Sequence, residues 1–165
     1  MQKDIFFMSQ YVETTVSNTN LDIQHTVHGE LKIESGGQAK MSGVCTEKVT
    51  IENGGNLQIL STGVCEKQVI VNAGVLKQDA GGQIKQELIV RGQAEISGLC
   101  QANVTVEGGM FNLMPSGIVS GDILVPVGTA NIMGTCNGSV IAPGGAVNVT
   151  GAVAGHIIIA GQVIK

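Results

Sequence analysis

Apolar and polar positions alternate in short runs along most of this chain, and the runs come back in phase. The stretch 43–59 shows the unit: Gly43, Cys45 two residues on, the alternating run Val49-Thr50-Ile51, a Gly54-Gly55 corner and a second alternating run, Leu57-Gln58-Ile59. Strict alternation puts every second side chain on one face, so both runs predict strands, and the Gly pair supplies the φ > 0 geometry a tight corner needs. One unit reads as one coil of a solenoid.

Versions of the unit continue to the C-terminus. A first coil runs from about Val27 to Met41, with Leu31, Ile33, a Gly36-Gly37 corner, Ala39 and Met41; the third carries Cys65, Val69, Val71, an Asn72-Ala73-Gly74 corner and Val75. The last has Gly151, Val153, Ile157, Ile159, Gly161 and Val163. The leading glycines fall 16 to 20 residues apart, and the variation is confined to corners, where an added residue leaves stacking undisturbed. Eight coils stacked at about 4.8 Å each make a rod roughly 40 Å long.

The fold class this predicts is all-β: a right-handed single-stranded parallel β-helix of about eight coils. A left-handed hexapeptide helix would need strict six-residue spacing, and a sandwich would show hairpin alternation without in-phase recurrence. Residues 1–22 are off this pattern and hold Phe6, Phe7 and Tyr11 beside Ile5 and Met8. They are expected to form an N-terminal cap over the open first coil, ahead of a repeat domain at 23–165.

Composition narrows the classes. With 24 Gly, 3 Phe, 1 Tyr and no Trp, the core must be built from Val, Ile, Leu, Ala, Met and Cys. A formal charge of −4 and the lack of a basic stripe or stacking aromatics argue against nucleic acid. From Ile123 to Ile164 there is no Lys, Arg, Asp or Glu, so the C-terminal part has an almost neutral surface. No run approaches the length of a membrane span, and no secretory signal is legible at the start, so a cytoplasmic chain is expected unless this is an excised piece of an exported protein.

Candidate chemistry is sparse. Cys45, Cys65, Cys100 and Cys136 contain no C-x-x-C pair and fall in the slot that Val27, Ile84, Val119 and Val153 occupy in other coils. They read as core fillers. The alternative is a Cys45–Cys65 contact, since stacked coils bring Cα atoms within disulfide range. His156 shares a register with Gln68, Asn103, Asp122 and Ser139 and is expected to point outward; a general base is its functional alternative. No Ser-His-acid set, carboxylate pair or phosphate loop is legible, so no cofactor, no metal and no enzymatic activity are expected.

The run from Val49 to Gly63 resembles the AIDA-type repeats of autotransporter passenger domains. That resemblance implies a right-handed parallel β-helix used in adhesion and self-association. The runs Gly117-Ile118-Val119-Ser120-Gly121-Asp122-Ile123 and Gly151-Ala152-Val153-Ala154-Gly155-His156-Ile157 are similar to bactofilins, which implies end-to-end polymerisation. Neither family implies catalytic residues.

The function expected is a non-enzymatic protein-binding solenoid, in concrete form an immunity or antitoxin-type protein whose acidic half suits a basic toxin. The alternative is a self-associating structural or adhesin-like β-helix. The partner is then a toxin or a second copy, and the end-stacking surface is expected at Ile157, Ile159 and Val163 of the C-terminal coil, favouring a homodimer.

Overall fold

A computed structural model describes residues 2–4, by backbone alone, and residues 13–164. The described residues form strands and connections with no helix, wound as a parallel β-solenoid of about eight turns. Each turn has three sides. The first face stacks Thr14–Ser17, Leu31–Glu34, Val49–Ile51, Val69–Val71 and Leu88–Val90, continues through two long strands, and ends at Val140–Ala142 and Ile157–Ile159. The second face runs from Asn20–Ile23 through Gln38–Met41 and Asn56–Ile59 to Ala146–Val149, and the third from Thr26–Val27 to Ala152–Val153. The long strands, Val104–Leu113 and Ile123–Ile132, run round the corner between the first two faces and join them into one sheet.

Register holds because the alternation holds. A one-residue slip in any coil would turn its apolar set outward, so each coil is locked over its neighbour. On the second face one inward ladder reads Leu21, Ala39, Leu57, Leu76, Ala94, Phe111, Ala130 and Val147. Phe111 is fully buried, and the tube takes its bulk because the rungs below and above it are Ala94 and Ala130. Packing at fixed total volume is kept by pairing large with small.

Two sequence expectations shift. Residues 13–22 were expected in the cap, yet Thr14–Ser17 and Asn20–Ile23 pair in register with Leu31–Glu34 and Gln38–Met41, and Gln2–Asp4 lies parallel to Asn20–Ile23. Stacking asks only for backbone hydrogen bonds and alternation, which Val16, Leu21 and Ile23 supply without the glycine marks. The aromatic part of the cap, Phe6, Phe7 and Tyr11 with Ile5 and Met8, lies outside the described residues. In the third coil Val75 faces solvent, and Leu76 and Gln78 take the inward slots. The corner there is one residue shorter than the Glu52-to-Gly55 corner below it, which moves the alternation by one.

Candidate functional site

The third face carries the four cysteines in one unbroken inward ladder: Val27, Cys45, Cys65, Ile84, Cys100, Val119, Cys136 and Val153, each in register with the next. The slot takes apolar side chains, Cys or Val in seven of the eight coils and Ile84 in the other, all of them buried. All four thiols are buried and free. Burial pushes the Cys45 thiol up to about 11 and the Cys100 thiol up to about 12, and raises Cys65 and Cys136 as well. A protonated, buried thiol is a poor nucleophile and a poor metal ligand. Cys45 and Cys65 are register partners without being bonded to each other.

These shifts carry a pH dependence with a definite sign. In the unfolded chain a thiol ionises near its ordinary value of about 8.5, whereas in the folded chain the proton is held to higher pH. Above that value the unfolded state binds fewer protons, so stability falls as pH rises, by about 1.4 kcal/mol per thiol per pH unit until the folded thiol ionises. Cys65→Val with Cys100→Val is expected to match wild type in urea melts at neutral pH and to lose less stability above pH ~9. Equal alkaline slopes in the two proteins would count against a buried, protonated pair.

No group of three or more His, Cys, Asp or Glu side chains that could hold a metal ion occurs among the described residues. His156 is exposed, as its register predicted, and its position belongs to a structural staircase. Asn103 Oδ1 accepts from the Asp122 amide (2.9 Å), Asp122 Oδ1 from the Ser139 amide (2.8 Å), and Ser139 Oγ from the His156 amide (3.0 Å). Each side chain caps the backbone of the coil above. A second rung system runs up the second face, where Asn131 Nδ2 donates to Asn112 Oδ1 (2.8 Å) and Asn148 is in register above Asn131.

The acidic N-terminal part is tied between coils. Arg91 donates to Glu107 (2.7 Å) on the coil above and to Asn72 (2.7 Å) on the coil below, and Lys85 pairs with Glu66 across adjacent coils at 3.0 Å. Such exposed pairs contribute little stability each. A groove of about 460 Å³ on the second face is lined by side chains including Asp22, Lys40, Gln58 and Lys77, a mixed polar row of the kind a solvated ladder carries.

Among the described residues, the core comes to the surface at the C-terminal end. The inward residues Val147, Val149, Ile157 and Ile159 are only partly buried, although they pack on the core. Val163 is 62% exposed and Ile164 64%. At Ala160 and Gly161, both with positive φ, the chain turns back, and Gln162–Val163 pairs antiparallel with Ile158 and Ile159. The two expected interface residues Ile157 and Ile159 therefore belong to a strand flanked on both sides, by Val140–Ala142 and by the returning segment, while Val163 stands on the outer strand. Sequence reasoning missed this hairpin because Gly161 fits a coil corner as well as a two-residue reverse turn.

A parallel β-solenoid of stacked three-sided coils is the class that fold and register define. No family model, no curated protein and no solved structure matches the chain. No helix among the described residues is long and apolar enough to cross a membrane.

Proposed function

We propose that this chain is a non-enzymatic protein-binding β-solenoid that meets a protein at its C-terminal end. The observation that supports this is the surfacing of the core there, with Val147, Val149, Ile157 and Ile159 half-covered and Val163 and Ile164 exposed on an uncharged segment. Half-covered core residues beside the two most exposed large apolar side chains among the described residues, on a segment free of charge, favour burial against another protein over contact with water.

In its concrete form the reading is an immunity or antitoxin-type protein. All thirteen acidic residues lie at or before Asp122, and Lys165 is the only one of the nine basic residues beyond it. The flanks of the N-terminal coils would thus suit a basic toxin domain by charge. The alternative is the self-associating role that the AIDA-like and bactofilin-like runs imply. An open-ended filament fits less well than a closed pair, because the hairpin at Ala160-Gly161 occupies the first face at the end on which the next subunit would stack.

A photo-reactive side chain placed at Val163, irradiated in the cells the chain comes from, tests the reading. Covalent adducts to a protein are expected. If irradiation yields none, the end is not a protein contact and the reading fails.

A further inference from the structure

We infer that the surface covering this end is a second copy of the same chain, joined through the outer edge of Ala146–Val149 about a two-fold axis. The inference rests on the end being a protein contact, and it names the partner and the edge.

Three features of the edge lead to it. Among the described residues, Ala146–Val149 pairs on one side only, with the second half of Ile123–Ile132, and no strand lies along its other side. This is a consequence of the turn at Ala160-Gly161, which sends the chain back along the first face before it can lay a further strand on the second. Exposed edges are ordinarily guarded by lysine, proline or a bulge, and Ala146-Val147-Asn148-Val149 has none of these. An unguarded edge with Val147 and Val149 half-covered beneath it is the profile of a strand that is paired in the working protein.

The chemistry selects a copy over an unrelated strand. A contact about a two-fold axis sets each residue against the same patch, so any net charge there would repel itself. Ile123 to Ile164 holds no Lys, Arg, Asp or Glu; residues 1–122 hold 13 acidic against 8 basic side chains, a net −5 carried away from the axis, and Lys165 supplies the remaining +1. An antiparallel strand edge is complementary to itself, each residue offering the donors and acceptors its counterpart needs. Asn148 ends the amide ladder begun by Asn112 and Asn131, and a carboxamide, being donor and acceptor at once, pairs with its own kind. A two-fold contact uses the same edge on both chains, so growth stops at two chains instead of propagating.

Sedimentation of the full chain over a wide concentration range is the test. Wild type is expected to reach twice the monomer mass of 17.0 kDa and no more. Ala146→Lys with Asn148→Lys, both exposed outward positions, sets like charges against each other across the axis and is expected to weaken the dimer roughly a hundredfold, with the circular dichroism of the monomer unchanged. Gln93→Lys, on the same outward row three coils below, is expected to leave the dimer intact. A wild type that stays monomeric, a filament, or a dimer indifferent to the double substitution each overturns the inference. If Val163 then cross-links to a different protein while the chain is monomeric, the protein-binding reading stands and only the second copy is lost.

Discussion

Gly109→Ala is expected to cost about 3 kcal/mol or more in urea or thermal unfolding, the largest effect of a single methyl group anywhere in this chain. Two penalties coincide there. Gly109 has φ +73°, where a side chain is strained by about 1–2 kcal/mol. A Cβ would also drive into the carbonyl oxygen of Gly92 on the coil below. Relief would require two coils to part, and their ladder hydrogen bonds with them. Gly161→Ala is the matched control: φ is +79° but nothing lies within 4 Å of the added carbon, so only the conformational cost of about 1 kcal/mol is expected. Equal losses at the two sites would mean that close approach between coils contributes nothing.

Gln78→Met is expected to stabilise the protein, by about 1–2 kcal/mol, which for a chain of this size raises the melting temperature by roughly 2–4 °C per kcal/mol. Gln78 is fully buried in the inward ladder between Ile59 and Ile96, where every coil beside it places an apolar residue. Its Nε2 donates to the Leu99 carbonyl at 3.3 Å, a long bond, and its Oε1 has no partner among the described residues. An orphaned buried acceptor costs about 1–3 kcal/mol, more than the single bond returns. Met keeps the unbranched reach that Gly82 and Gly98 leave room for, whereas a branched side chain would press on them. A drop in stability would show that the Gln78 amide contributes more than packing does, as a polar pin that sets which coil lies on which.

The dimer and the antitoxin-type reading use different parts of the molecule. The uncharged end would join two copies, and the acidic flanks of both rods would stay open to a basic partner. A pair of rods joined at the ends presents two such flanks, which raises avidity for any partner that is itself paired.

Much of the rod was legible in the residues. Alternation such as Val49-Thr50-Ile51, recurring in phase, specifies both the strands and their stacking, because only one register buries every apolar side chain at once. The same phase marked Cys45, Cys65, Cys100 and Cys136 as core. The glycines were found by phase but only half explained by it. Gly36 and Gly54 have positive φ, as a corner requires, whereas Gly37 and Gly55 face the carbonyl oxygens of Val16 and Ile33 on the coil below and are small because there is no room. That reason lies between coils and has no local signature.

The same is true of the candidate site. Sequence placed an exposed apolar end at Ile157, Ile159 and Val163, and composition made it uncharged. Only the tertiary structure decided that the chain reverses at Ala160-Gly161, that Ile157–Ile159 is thereby flanked on both sides, and that among the described residues Ala146–Val149 keeps an outer edge without a neighbour. A strand's alternation tells which side chains point inward. Which of its two edges finds a hydrogen-bonding neighbour depends on where the next segment goes, and a two-residue turn can send that segment onward or back with the same residues.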